Sequence, residues 1–428
     1  MRNLFKISIL FSFAIFVFSC DNDDNDTVDP VDPVGPTLEI PETYEFTRND
    51  ESTVSFSGQV TRLSQSELLY DAFNVETSFE DLDAMFNGVN GESAGFSDES
   101  LNGTTKIIGA KTSYSTLQGS AVDKAYLDAM IAEYANVVVP AFNDDAAVGV
   151  PGYVTGASGS SYRLNAAGQE LDQLFFKGLI GAFTLDQIVN NYLHPNQLDS
   201  GDNVANNDND VLDDGKNYTK MEHKWDEGFG YLYGHLDSDG NGEDLVTAGS
   251  EPSGNGDLLM KYFKKVNSGA QPGIGQTVYD AFMAGRTAIV NKDYDERDAQ
   301  ADIIQVELSK VIGYYAIYYM NDFVAKLGAG DVGGAHHSLS EAWGFLFSLK
   351  YTNDGMDETF MIEGGVPALD HFLGVNLIPG APEYMSDFHG MATKLYALTA
   401  PYNAANPSQS GMIALVEKAF ADKGHPLN

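Results

Sequence analysis

An eleven-residue pattern occurs twice in this chain and constrains its fold more than any other feature. Residues 223–233 and 337–347 both read His, three residues, Glu, a small residue, then aromatic, Gly, aromatic, Leu, aromatic. On an α-helix, residues four apart lie one turn above each other, so each His shares a face with its Glu. The pattern therefore predicts two similar helices, each with a His-Glu pair and an aromatic packing surface.

The sequence around the two copies extends the similarity. A long helical pattern containing an Ile-Gly pair precedes each copy, and helical periodicity dominates the chain from residue 64 onward. We therefore predict a mainly α fold with two helical-bundle halves, about residues 64–250 and 251–428, related by internal duplication. Chance similarity between aromatic-rich helices is the alternative.

The other elements follow from local patterns. The clearest helical patterns cover residues 64–74, 78–88, 120–139, 165–193, 217–234, 275–292, 296–327 and 333–351, with a C-terminal pair at about 383–402 and 410–423. Residues 43–63 instead alternate β-formers with polar residues on either side of the turn-rich "RNDES", which predicts a short N-terminal β-hairpin. No second run of strands is predicted.

The N-terminus has the pattern of a lipoprotein signal. Arg2 and Lys6 precede an apolar run, residues 7–18, that is too short to span a bilayer and leads into "VFSC". We expect Cys20, the only cysteine, to be the lipidated first residue of the mature chain, which excludes disulfides and Cys-based metal sites. A spacer cysteine in an ordinary cleaved signal is the alternative.

The segment after the cysteine predicts a tether. Residues 20–40 are rich in Asp, Asn and Pro and favour an extended chain that leads to a single folded domain, residues 41–428. The acidic start resembles the export signal that sends lipoproteins of Bacteroidetes-type bacteria to the outer face of the outer membrane. We therefore expect an outer-membrane lipoprotein that faces the periplasm or the cell surface, with residues 1–19 removed as signal peptide.

The charge of the chain excludes one class of partner. It has 62 Asp and Glu against 24 Lys and Arg, a formal net charge of −38. Such a surface repels phosphate backbones and favours cations, so we expect no nucleic-acid partner. Because 43% of the residues are hydrophobic, the chain is folded rather than disordered.

The polar residues at the heads of the two motifs are candidate metal ligands. They are His223, Glu227, His337 and Glu341. Imidazole and carboxylate groups bind divalent or ferric metal ions, and helical bundles build such sites from His and Glu on facing helices. Two related helices would allow all four ligands to converge. The alternative is that each pair makes a local hydrogen bond while the aromatic residues fill the core.

A candidate calcium loop follows the first motif. In "DSDGNGED", Asp237, Asp239 and Asn241 stand at alternate positions with a glycine at the sixth, as in the first half of an EF-hand loop. Ala248 occupies the twelfth position, where an EF-hand has its bidentate glutamate, so a plain Asp/Gly-rich turn is the alternative.

Several catalytic motifs are missing from the sequence. It contains no Gly-x-Ser-x-Gly, Walker-type, His-Glu-x-x-His or Cys-x-x-Cys pattern. Serine hydrolase, nucleotide hydrolase, zincin and thioredoxin functions are therefore without support.

Some stretches resemble a known family. "YTKMEHKWDEGFGYLYG", with "QLFFKGLIGA" and "LSEAWGFLFSL", is similar to the Bacteroidetes lipoprotein family designated domain of unknown function 4856. That family is similar in turn to imelysin-like proteins, which are envelope proteins of two duplicated helical bundles often linked to iron or haem uptake. Their Gly-x-His-x-x-Glu signature is matched here only in its first half, up to His336, because Leu339 stands at the glutamate position.

These observations lead to three functional hypotheses. The first is a non-enzymatic, lipid-anchored envelope protein that binds a metal ion or a metal-containing nutrient near the paired His and Glu residues. The second is a metallopeptidase of imelysin type, in which a bound metal activates water and Glu227 or Glu341 acts as base. The third is a structural partner of an outer-membrane receptor, in which the motif serves only for packing.

Overall fold

Helices make up most of the residues that a computed structural model describes, which are 39–147, 149–234, 258–360, 398–406 and 409–427. These residues contain twelve α-helices and two short antiparallel hairpins. The prediction of a mainly α fold with a short N-terminal hairpin is confirmed, while the internal duplication stays a prediction. No described helix is long and apolar enough to cross a membrane.

The helices are numbered in chain order. They are α1 Ser57–Ala72, α2 Phe79–Asn87, α3 Ala121–Glu133, α4 Leu171–Leu179, α5 Pro195–Leu198, α6 Asn203–Asp208, α7 Lys220–Tyr233, α8 Leu259–Ser268, α9 Ile274–Asn291, α10 Tyr294–Gly328, α11 Val332–Ser348 and α12 Met412–Asp422. A π-helix continues α3 over Tyr134–Val138, and a longer one continues α4 over Ile180–Tyr192.

The N-terminal hairpin is shorter than predicted. Strands β1, Thr47–Arg48, and β2, Glu51–Ser52, pair around a two-residue turn with left-handed backbone at both positions. The prediction that strand structure continues to residue 63 was wrong, because α1 already begins at Ser57. The helix is favoured there because Gln59, Leu63 and other residues at helical spacing are buried against the rest of the fold.

A second hairpin contradicts the prediction that no further strands occur. Strands β3, Gly152–Thr155, and β4, Ser161–Leu164, pair in antiparallel register around a Gly- and Ser-rich turn. Four residues a strand give too little alternation to stand out against a helical sequence. The hairpin matters for the site because both of its strands contact α11.

Helix α11, which carries the second motif, packs between α4 and α10. Gly344 permits the close approach to α4, since a Cβ atom there would lie 2.9 Å from the backbone nitrogen of Gly178 and from the carbonyl oxygen of Leu174. Almost every residue of α11 is buried. Its few partly exposed positions therefore determine what it can present to a ligand.

Helix α8 is absent from the sequence prediction. Its buried residues Leu259, Tyr262, Phe263 and Val266 follow the spacing of an amphipathic helix, so the periodicity was present in the sequence. The helix packs against α10. It places a lysine-rich face beside the second motif.

Candidate functional site

The first His-Glu pair lies on α7, where neighbouring side chains contact both residues. His223 Nε2 is 4.0 Å from Glu227 Oε2, and the imidazole stacks on the Tyr218 ring with 4.6 Å between centroids. Glu227 is held by Lys224 at 2.8 Å and accepts a hydrogen bond from Gln59 at 3.1 Å. Burial lowers the pKa of His223 below its ordinary value, so the ring favours the neutral form.

The same helix carries a buried charge network that holds the N-terminal hairpin. Arg286 of α9 is fully buried and donates to Asp226 at 3.0 Å and to Glu222 at 3.2 Å. Arg48 of β1 makes a bidentate pair with Glu222, and the Tyr44 hydroxyl donates to Asp226 at 2.9 Å. Burial raises the pKa of Asp226 to about 6 despite these partners. The residues beside the first pair therefore join β1 and α9 to α7.

The second pair lies on α11 between two carboxylates. His337 Nδ1 is 2.6 Å from Glu170 Oε2, and its Nε2 is 3.2 Å from Glu341 Oε2. The Tyr162 ring of β4 stacks on the imidazole at 4.6 Å between centroids. Lys177 of α4 lies 3.3 Å from Glu341. Both ring nitrogens of His337 are therefore engaged by acidic groups from different parts of the fold.

The electrostatics of this second cluster differ from those of the first. Burial, with the negative charge of Asp172, raises the pKa of Glu170 to about 7. Burial also acts to lower the pKa of His337, but the hydrogen bond to Glu170 and the charges of Glu170 and Glu341 outweigh it and raise that pKa. Glu170 and His337 therefore titrate as a coupled pair.

His337 and Glu341 line an open cavity of about 580 Å³ formed by α8, α10 and α11. This volume lies in the range of small-molecule sites. The remaining lining residues come mainly from α8 and α10: Lys261, Tyr262, Lys265, Ser268, Tyr315, Tyr318, Tyr319, Asp322 and Lys326. The second motif thus faces a ligand-sized space.

Tyrosine rings form one wall of the cavity. Tyr315 packs against Tyr262 at 4.5 Å and against Phe345 at 5.4 Å between ring centroids, so buried aromatic side chains support it from behind. Tyr318 lies 5.6 Å from Tyr315 and is 57% exposed. The Tyr315 and Tyr318 rings are tilted 58° to each other, so they offer a ligand two separate aromatic faces.

Lysines occupy the α8 side of the cavity. The Nζ atoms of Lys261 and Lys265 lie 5.7 and 5.4 Å from the centroid of the Tyr262 ring. On the α10 side, Lys326 pairs with Asp322 at 2.8 Å. Three lysines therefore line the cavity together with two carboxylates, Asp322 and Glu341, in a chain that has only 24 Lys and Arg against 62 Asp and Glu.

The four predicted metal ligands lie in these two separate surroundings. Among the residues that the structure describes, no group of three or more His, Cys, Asp or Glu side chains is arranged to hold a metal ion. The metal site therefore stays a prediction. The candidate calcium residues Asp237, Asp239 and Asn241, and the lipidation site Cys20, lie outside the described residues.

Residues 41–369 match the family described as Domain of unknown function (DUF4856). The chain belongs to this family. No curated protein and no solved structure matches it. The resemblance to imelysin-like proteins remains a prediction.

Sequence reasoning missed much of the cavity. Lys261 and Lys265 lie on α8, which was not predicted, although the sequence contains the apolar spacing of an amphipathic helix there. Glu170 comes from the segment before α4, and only the tertiary fold brings it to His337. The exposed Tyr318 lies on a predicted helix, where an aromatic residue is more often core than ligand surface.

Proposed function

We propose that this chain is a non-enzymatic binding protein of the cell envelope whose ligand is a small anionic molecule. The cavity formed by α8, α10 and α11 carries this proposal, because it is ligand-sized and three lysines line it in a strongly acidic chain. Lysine ammonium groups bind carboxylates and other anions through charge-assisted hydrogen bonds. The long-range field of the protein opposes anions, so the local lysines supply selectivity for one site.

A metal-containing nutrient fits this proposal better than a bare metal ion does. His337 is engaged on both ring nitrogens, and Glu341 is paired with Lys177. A bare cation would have to displace these partners before it could bind the four predicted ligands. A metal carried inside an anionic chelate would instead meet the lysines of α8.

The envelope location is proposed from the N-terminal sequence. The lipobox-like end of the signal supports acylation of Cys20, followed by an acidic tether. Cys20→Ser should move the protein from the membrane fraction to the soluble fraction of the native host. An unchanged distribution would remove the lipid-anchor part of the proposal.

We also propose that the two motif helices arose by duplication. The shared eleven-residue pattern supports this, with an Ile-Gly pair in the helical segment before each copy. Duplication explains why a pattern is repeated although only one copy lines the cavity.

The two alternatives have less support from the geometry. A metallopeptidase needs several metal ligands at one point, and the described residues contain no group of three. A receptor partner would bind through an outer surface of the protein. That hypothesis does not explain why lysines and tyrosines line the cavity.

Binding of anionic probes to the mature chain tests the proposal. Isothermal titration calorimetry with citrate, ferric citrate and glucuronate should detect binding of at least one probe below about 1 mM, about 4 kcal/mol. The double variant Lys261→Ala, Lys265→Ala should weaken it at least about 10-fold, because each charge-assisted hydrogen bond contributes about 1.5–3 kcal/mol.

A matched control removes the same charge elsewhere. Lys216 and Lys292 are exposed and line no part of the cavity, so replacing both with Ala should leave the affinity unchanged. Absence of binding by all three probes, or equal losses in the two double variants, would overturn the proposed function.

A further inference from the structure

We propose that a group of basic side chains beside the first motif forms a second site, which binds a phosphate group. This basic cluster consists of Arg62, Lys106, Lys111 and Lys224. None of these side chains lines the cavity of α8, α10 and α11. The two sites are therefore independent of each other.

The Tyr192 ring brings two of the ammonium groups together. Lys111 donates to the Tyr192 hydroxyl at 3.1 Å, and its Nζ atom lies 5.4 Å from the ring centroid. The Nζ atom of Lys224, on α7, lies 5.3 Å from the same centroid. Tyr192 is buried at the end of the π-helix that packs against α7, so the core sets the position of the ring between them.

Helix α1 brings the other two cations together. Arg62 is buried, and it donates to the backbone oxygens of Ile107 and Gly58, each at 3.3 Å. The Lys106 side chain crosses the same glycine, because a Cβ atom at Gly58 would lie 3.3 Å from the Lys106 Nζ atom. Both cations therefore lie beside Gly58.

The residue next to Gly58 joins these cations to Lys224. Gln59 donates to one oxygen of Glu227 at 3.1 Å, and Lys224 pairs with the other oxygen of that carboxylate at 2.8 Å. The basic cluster therefore lies in one region, where α1, α7 and the segment between α2 and α3 meet.

The positive charges of the cluster are only partly compensated. Glu227 is already paired with Lys224. In the described part of the chain, the hydrogen bonds of Arg62 go to backbone oxygens and that of Lys111 goes to a hydroxyl group. Burial, together with the positive charges of Arg62, Lys224 and Lys106, lowers the pKa of Lys111 to about 8, although the charge of Glu227 acts to raise it. A bound anion would relieve this repulsion.

The cluster is accessible from solvent. Lys106, Lys111 and Lys224 are each partly exposed. The Tyr114 ring lies 4.4 Å from the Lys111 Nζ atom and is itself 54% exposed. An anion therefore reaches the ammonium groups from outside, while the buried guanidinium of Arg62 adds positive charge beneath them.

The chemistry of the cluster favours phosphate over a carboxylate. An ammonium group has three donors, and the bonds described above use one each of Lys111 and Lys224. A phosphate group carries about two negative charges on three strong acceptor oxygens, so it accepts from several directions at once. A carboxylate carries one charge on two oxygens. Donors that come from different elements of the fold therefore match a phosphate group better.

Inorganic phosphate is the probe for this site. Isothermal titration calorimetry of the mature chain should detect phosphate binding with a dissociation constant below about 1 mM. Acetate should bind at least about 10-fold more weakly, because it offers one charge and two oxygens. Equal affinities for phosphate and acetate would overturn the inference.

Two double variants locate the site. Lys106→Ala with Lys111→Ala should weaken phosphate binding at least about 10-fold. Lys216→Ala with Lys292→Ala removes the same charge from exposed positions outside the cluster and should leave the affinity unchanged. Lys106→Glu alone keeps the bond of Lys111 to Tyr192 and should give a comparable loss, so the test does not depend on the folding of the Lys111 variant.

The cavity variant separates this site from the proposed function. Lys261→Ala with Lys265→Ala should leave phosphate binding unchanged. Loss of phosphate in that variant and not in Lys106→Ala with Lys111→Ala would overturn this inference and leave the function proposed for the cavity standing. Failure of the cavity probes, with phosphate still bound at the cluster, would overturn the proposed function alone.

Vesicles distinguish two sources of a phosphate group, a free anion and a lipid headgroup. The mature chain with Cys20→Ser, which carries no acyl group, is mixed with phosphatidylglycerol vesicles and sedimented. Sedimentation that Lys106→Ala with Lys111→Ala abolishes would assign the headgroup, whereas phosphate binding without sedimentation would assign the free anion. If neither phosphate nor vesicles bind, or if the two double variants lose phosphate equally, the inference fails.

Discussion

The two motif helices have the same residue pattern and opposite surroundings. On α7, the positions one before and three after the histidine are Glu222 and Asp226, which pair with buried Arg286. On α11, the corresponding positions are His336 and Ser340, which bond to nearby backbone atoms. The first helix therefore needs its charges to hold the fold together, whereas the second places His337 and Glu341 in the lining of a cavity.

This difference shows what a repeated pattern can predict. The shared letters specify a helix face, its aromatic packing and a His-Glu contact. The residues between and before them decide whether that face closes against other elements or opens to solvent. A motif written twice is thus compatible with one structural copy and one functional copy.

The largest effect is expected at the charge network of α7. Arg286→Ala leaves Asp226 and Glu222 buried without this partner, so it should lower the free energy of unfolding by about 3–5 kcal/mol. Urea unfolding followed by circular dichroism measures this. Lys292→Ala, which breaks an exposed pair with Asp210, should cost less than about 1 kcal/mol. Equal losses would show that the Arg286 network is not the anchor of α7.

The glycines seven residues after each histidine give the next largest contrast. A Cβ atom at Gly344 would meet the backbone of α4, which cannot move alone, so Gly344→Ala should cost about 1–3 kcal/mol. At Gly230 the nearest atom is the Phe56 Cβ at 2.4 Å, which moves only with its backbone, so Gly230→Ala should also be destabilising. Its three nearest contacts include no backbone atom, so the loss should be smaller than at Gly344, and a larger loss at Gly230 would contradict this account.

The histidines should differ in ligand binding. His337→Ala removes a group that lines the cavity and should weaken binding of the best anionic probe about 10-fold, the effect of one good hydrogen bond. His223→Ala should leave the affinity unchanged. Metal content, measured by elemental analysis of both variants purified without a tag, tests the shared metal site: loss of a bound metal in both would favour convergence of the two pairs.

The smallest difference between His337 and His223 is expected in how each contributes to the pH dependence of stability. The two contributions should have opposite signs. The raised pKa of His337 contributes stability that is present below about 6.5 and is lost as pH rises through the folded-state pKa. The lowered pKa of His223 contributes stability that is present above about 6.5 and is lost as pH falls through the folded-state pKa.

Asparagine variants isolate these signs. His337→Asn should cost more stability at pH 5.5 than at pH 8, and His223→Asn should cost more at pH 8 than at pH 5.5. Urea unfolding at the two pH values, with the unaltered protein as reference, gives the comparison. The same sign in both variants would mean that the two imidazoles have similar electrostatic surroundings.

Much of the helical framework was predictable because its periodicity is strong and local. The end of α2 before its C-cap Gly88 follows directly from capping chemistry. The capping box at Thr219 fixes the start of α7 close to the predicted start at residue 217. The start of α1 was misplaced because Ser57 to Leu63 contains β-branched residues, and burial against other elements outweighed their propensity.

The candidate site was only half predictable. His337 and Glu341 could be identified because a helix places them on one face, and that spacing is written in the sequence. Glu170 and Tyr162 meet His337 through contacts across 167 and 175 positions, which depend on how β4 and α4 pack against α11. Side-chain convergence of this kind is a property of the tertiary fold and has no local signature.

The network around Arg286 also determines how the folded domain resists mechanical load. A force on the N-terminal end of the domain reaches Tyr44 and Arg48 first, and their bonds to Asp226 and Glu222 pass it to the middle of α7. Several bonds share that load before α1 is pulled. A force applied at the N-terminal end of the domain would thus be shared between Asp226 and Glu222 on α7.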